Sequence, residues 1–140
     1  MHFLKNWKCG ELVSLSHIPN VTVFCEKPGK TTFVFDMSDE EKAETKAAHD
    51  KSLRNALDMA DGSQCDLLIL DEAIDAFELG VLDENMLFDL LENKPYELEL
   101  VVTGHNKNER MISSADYVTE MMKIKHPYDK GVKARKGIEF

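Results

Sequence analysis

The apolar positions along the chain change period several times, and each change predicts an element. Val21-Thr22-Val23-Phe24 follows the Pro19-Asn20 turn and reads as a short strand. Thr32-Phe33-Val34-Phe35 is a second β-branched and aromatic run, also extended. From Ser38 the pattern turns helical. Ser38-Asp39-Glu40-Glu41 is a capping box, in which Ser38 accepts from the Glu41 N–H and Glu41 reaches back to that of Ser38. The helix it opens should run to about Ala60, with Ala43, Ala47, Leu53, Leu57 and Ala60 on one face, and stop at Gly62. Next comes Asp66-Leu67-Leu68-Ile69-Leu70-Asp71-Glu72. Its four consecutive apolar residues bounded by acids predict a strand covered on both faces, as in a parallel sheet.

Asp83 can cap a further helix through Leu91, ended by Asn93-Lys94-Pro95. Leu98 to Val102 reads as the following strand, stopped at Thr103-Gly104, and a short helix covers Glu109 to Ser114. Tyr117-Val118-Thr119 begins another strand, and residues 124–140 form a basic, polar tail. Strand–helix alternation with short links predicts an α/β fold with a parallel sheet flanked by helices. Length predicts a single domain over 1–140, with a core burying roughly two thirds of the unfolded surface.

Composition narrows the function classes. The chain is 43% hydrophobic and 31% charged, as in a soluble globular protein, and its net charge of −9 argues against nucleic acid as a partner. The charge is uneven: Lys123, Lys125, Lys130, Lys133, Arg135 and Lys136 cluster against one acid, Asp129. That tail is either a solvated surface or an approach for an anionic ligand. Cys9, Cys25 and Cys65 are odd in number and far apart, which excludes a disulfide framework and a zinc site and suits a cytoplasmic protein. No apolar run approaches the roughly 20 residues that span a membrane, and Met1 to Lys5 is too short an apolar start for a signal peptide.

Four segments could carry chemistry. Pro28-Gly29-Lys30-Thr31-Thr32 spells the end of a phosphate-binding loop, G-x-x-x-x-G-K-[ST]. The first glycine of that pattern would fall at Phe24, Pro28 removes an N–H, and an extended run follows where a helix should start. An ordinary Pro-Gly turn is the better reading. The apolar strand ending in Asp71-Glu72 has the Walker B arrangement, which puts two carboxylates at a strand's C-terminal edge for Mg²⁺ or a reactant. Phe33 and Phe35 alternate on an extended segment, so their rings share a side, either as an apolar wall for a planar ligand or as core. Thr103-Gly104-His105 ends the next strand, beside Asp71-Glu72 if the two strands are close, and Gly104 would permit close backbone approach.

Several segments together resemble one family. DLLILDEAIDAFELGVLD (66–83), LELVVTGHN (98–106), ADYVTEM (115–121), IKHPYDKGVKARKGIEF (124–140) and HFLKNWKCGEL (2–12) are similar to the ATP:corrinoid adenosyltransferases of the bacterial cobalamin pathway. The resemblance implies a RecA-like nucleotide-binding domain of the P-loop NTPase type, a homodimer, and transfer of the 5′-deoxyadenosyl group of ATP to a corrinoid. The corrinoid is reduced to Co(I), which attacks C5′ and displaces triphosphate. By resemblance, Glu72 and Asp71 match the acids that help hold Mg²⁺. Phe33 and Phe35 match two aromatics against the corrin ring, the second of which is commonly Trp. Thr103, Gly104 and His105 fall in the phosphate vicinity, where the family commonly has Thr-Gly-Arg; an imidazole stands in place of the guanidinium's fixed charge.

The family's first strand and phosphate loop lie upstream of the segment resembling HFLKNW, and Met1 falls where the second strand should be. The expectation is therefore a chain shortened at its N-terminus, with transfer impaired and sheet edges left unpaired. A non-catalytic corrinoid-binding or regulatory protein and a generic nucleotide-binding α/β domain are the alternatives.

Overall fold

The computed structural model describes residues 1–4, 10–25, 37–62 and 64–138. The Pro28–Lys30 turn and the Phe33–Phe35 run lie outside the described residues. In chain order the elements are α1 (Gly10–Leu15), α2 (Asp39–Asp61), β1 (Leu67–Leu70), α3 (Ala73–Glu78), α4 (Glu84–Asn93), β2 (Glu99–Val102) and α5 (Glu109–Ser114), then a 3₁₀ turn at Pro127–Lys130. The fold is α/β. β1 and β2 pair in parallel, Leu67 against Glu99 through Leu70 against Val102, with α3 and α4 in the connection between them. Met1–Phe3 extends the pairing on the other side of β1. The Asp71 N–H donates to Met1 O, the Phe3 N–H donates to Asp71 O, and His2 and Asp71 form a parallel bridge.

The predicted caps are present. Ser38 Oγ accepts from the Glu41 N–H at 3.2 Å and Glu41 Oε2 from the Ser38 N–H at 2.9 Å, while Gly62 closes α2. Asp83 caps α4 through the Met86 N–H, which with the nearby Lys46 ammonium holds its carboxyl below the usual range. Leu53, Ala56 and Ala60 of α2 pack with Leu68 and Leu70 of β1, Leu87, Phe88 and Leu90 of α4, and Leu98.

Four expectations are corrected. β1 is covered on one face, not both: Leu68 and Leu70 are buried, but Leu67 and Ile69 are 51% and 44% exposed. α2 and α4 pack on the Leu68–Leu70 side, and Leu67, Ile69 and Val101 form an open apolar strip among the described residues. The N-terminal half of α2 does not bury Ala43 and Ala47 but Thr45, His49, Asp50 and Ser52, because this face bonds to polar backbone rather than to apolar side chains. Val21–Phe24 is not a strand among the described residues, although Phe24 O accepts the His2 N–H at 2.9 Å. Tyr117-Val118-Thr119 also pairs with no strand among the described residues, and residues 113–138 are exposed throughout. The helices α1 and α3 were not expected.

Candidate functional site

The C-terminal edge of the sheet gathers most of the acidic and polar candidates. The register that ends at Leu70–Val102 carries Asp71 opposite Thr103, and the His2 bridge puts His2 on Asp71's other side. Alternation along the strand sends Asp71 to the same side as Ile69 and Leu67, the open face. One row across three adjacent ribbons therefore reads His2, Asp71, Thr103.

Hydrogen bonds lock this row. The Thr103 hydroxyl donates to Asp71 Oδ1 at 2.9 Å and accepts from the Glu72 N–H at 3.0 Å. His2 Nδ1 lies 3.1 Å from Asp71 Oδ2. Glu72 has φ +60°, the left-handed region, at the point where β1 breaks into α3. A non-glycine residue there costs of order 1 kcal/mol or more and persists only where the surroundings enforce it, as at functional sites. Here the Thr103 hydroxyl fixes the Glu72 amide and α3 begins one residue later.

The turn after β2 is held just as closely. The Ile74 N–H donates to Thr103 O at 3.3 Å, and the His105 N–H donates to Asp75 Oδ2 at 3.0 Å. A Cβ on Gly104 would lie 2.5 Å from Ile74 Cβ and 2.9 Å from Asp75 Oδ2. Gly104 is thus required by close approach, although to α3 rather than to a ligand. The His105 ring is 80% exposed, with Nδ1 3.2 Å from Asp75 Oδ2.

The structure brings Asp71, Glu72, Thr103, Gly104 and His105 together; Phe33 and Phe35 lie outside the described residues. Sequence reasoning missed His2 and Asp75. His2 sits in no motif, whereas the four-residue step from Asp71 to Asp75 across a strand–helix junction was a usable signal. The donors at this edge suit a hard cation: two carboxylates and a hydroxyl, all oxygen. No group of three or more His, Cys, Asp or Glu able to hold a metal exists among the described residues. A cation here would take its remaining ligands from water or a polyphosphate, the usual habit of Mg²⁺. No helix among the described residues is long and apolar enough to cross a membrane.

Comparison with known proteins places the whole chain in one family. A family model described as ATP:corrinoid adenosyltransferase BtuR/CobO/CobP matches residues 1–140. A corrinoid adenosyltransferase of a Sinorhizobium species is 34% identical over 107 residues, 76% of this chain and 50% of that protein. One from Pseudomonas aeruginosa is 39% identical over 74 residues, 53% of this chain and 36% of that protein. One from Escherichia coli K12 is 28% identical over 110 residues, 79% of this chain and 55% of that protein. The chain spans about half the length of the curated relatives it matches.

Proposed function

The chain belongs to the ATP:corrinoid adenosyltransferase family, and from that membership we propose that its chemistry is transfer of the 5′-deoxyadenosyl group of ATP to a corrinoid. In that reaction the Co(I) electron pair attacks C5′, a Co–C bond forms, the C5′–O bond breaks, and triphosphate leaves with both of its electrons. The observation that carries the reading is the Asp71–Thr103–Glu72 constellation at a parallel strand edge, the place where open α/β sheets take ligands. Asp71 and Glu72 would hold Mg²⁺, which when bound supplies charge neutralisation to the departing triphosphate. Thr103 fixes the Asp71 rotamer, and the Thr103–His105 turn borders the phosphates. Phe33 and Phe35 would form the apolar wall on the corrin ring. The whole protein would be a homodimeric, cytoplasmic, RecA-like domain of which β1 and β2 are adjacent strands.

No G-x-x-x-x-G-K-[ST] occurs within the 140 residues, so the chain alone has no backbone cradle of that kind for the triphosphate. We therefore expect these residues by themselves to transfer slowly. The test is an anaerobic assay with chemically reduced Co(I) corrinoid, Mg²⁺ and ATP, following loss of the Co(I) absorbance and gain of a light-sensitive Co–C bond. Slow turnover that Asp71→Asn abolishes, or turnover restored by an added strand–loop–helix segment, supports the reading. Corrinoid binding with no turnover in either form points to a non-catalytic corrinoid binder. ATP binding with no corrinoid binding points to another nucleotide-dependent reaction.

A further inference from the structure

α2 spends its N-terminal half burying polar groups, and His49 is the one with contacts on both sides of the site. The residue is 3% exposed. Nδ1 lies 2.8 Å from Val81 O, in the turn between α3 and α4. A carbonyl only accepts, so Nδ1 carries the proton. In the neutral ring Nε2 is then an acceptor, and the Leu4 N–H points to it at 3.5 Å. The ring edge also packs on Phe3, centroids 5.2 Å apart and planes at 88°. Leu4 has φ +57°, a strained conformation for leucine, where the chain leaves its pairing with β1.

We propose that His49 is a positioning residue for the Asp71 site: through Leu4 and Phe3 it sets the Met1–Leu4 segment against β1 and so holds His2 on the Asp71 carboxylate. Phe3 donates to Asp71 O and Asp71 donates to Met1 O, so a shift of this segment moves His2 relative to Asp71. Through Val81 the same ring anchors the far end of α3, whose first turn begins directly after Glu72. Burial lowers the His49 pKa, against the opposing effects of its bond to Val81 and of the nearby Asp50, and so favours the neutral ring that the arrangement needs. The role rests on the reading of Asp71 as the carboxylate that holds Mg²⁺.

The test uses the full chain and three readouts. Long-range ¹H–¹⁵N NMR of the wild type should show the Nδ1–H tautomer of His49, the minor one in free histidine; an Nε2–H tautomer overturns the proposal. Amide exchange of Phe3 and Asp71 should quicken about five- to tenfold in His49→Phe, the scale of losing the one hydrogen bond from the Leu4 N–H to the ring. It should stay near wild type in His49→Gln, whose amide can both donate and accept. Equal protection in the Phe and Gln variants overturns it. Affinity for Mg²⁺ with inorganic triphosphate should fall about tenfold in His49→Phe and recover in His49→Gln, the scale of losses around metal ligands. An affinity for Mg²⁺–triphosphate that Asp71→Asn leaves unchanged removes the Asp71 reading, while tautomer and exchange still decide whether His49 positions the segment.

Discussion

Gly104→Ala should be far more damaging than a one-methyl change in an exposed turn. The added carbon meets Ile74 Cβ at 2.5 Å, Asp75 Oδ2 at 2.9 Å and Ile74 Cγ1 at 3.1 Å. Carbon atoms rest about 3.5–4.0 Å apart, so the turn and α3 must separate by about 1 Å. Ile74 cannot yield by rotation, because its Cβ is fixed to the helix backbone and its χ1 is stiff. Separation stretches the Ile74 N–H bond to Thr103 O and the His105 N–H bond to Asp75. One neutral and one charge-assisted bond, together with the overpacking, cost about 3 kcal/mol. For 140 residues the unfolding entropy is about 0.3 kcal/mol per degree, so Tm should fall by about 10 °C. Scanning calorimetry is the assay, with Gly10→Ala as control, since a Cβ there meets nothing within 4 Å. Adding Ile74→Ala should rescue little, because it removes Cγ1 and leaves the Cβ. A Gly104→Ala protein as stable as the Gly10→Ala control would refute the close-approach argument.

Three further outcomes follow from the same contacts. Thr103→Val should lower stability in urea by about 2 kcal/mol, losing a bond to a carboxylate and an acceptor for the Glu72 N–H, whereas Thr103→Ser should stay close to wild type; equal losses in both would place the effect in packing. Ser38→Ala should cost about 1 kcal/mol, read from the urea midpoint, and an unchanged midpoint would mean that the capping box adds nothing to α2. His49 has a folded pKa below its unfolded value of about 6.5, so its contribution is complete above that pH and is lost as pH falls from there through the folded pKa. The neighbouring charges are Lys46 and Asp50 on α2, Asp83 beyond Val81, and His2 with Asp71. Stability between pH 7.5 and 5.5 should therefore decline more in the wild type than in His49→Phe; parallel declines would assign the slope to other groups.

Local signals carried much of the fold. The capping box, the Asp83 cap and the Pro95 stop each act within one turn, and the helices they bound lie where the pattern puts them. β1 and β2 were legible as apolar runs, and their parallel pairing meets the condition on which Thr103 would lie beside Asp71. The buried half of α2 was not legible. Ala43 and Ala47 scored as apolar, yet what decides burial there is a hydrogen bond from His49 to a carbonyl more than thirty residues away. Val21–Phe24 and Tyr117–Thr119 have strand composition, but strands exist only in pairs, and pairing is not a property of four residues. His2 had no motif because its partner is distant in sequence.

That distance has a kinetic meaning. His2 and Asp71 are 69 residues apart, whereas Asp71 and Thr103 are 32 apart. A doubling of loop length adds only about 0.6 kcal/mol of closure entropy, so docking the Met1–Leu4 segment is hardly more costly at equilibrium than pairing β1 with β2. Rates depend on sequence separation more steeply. The β1–α3–α4–β2 unit can close first and present a finished edge, on which the N-terminal segment settles afterwards. Weakening that segment should then accelerate unfolding and leave the folding rate almost untouched.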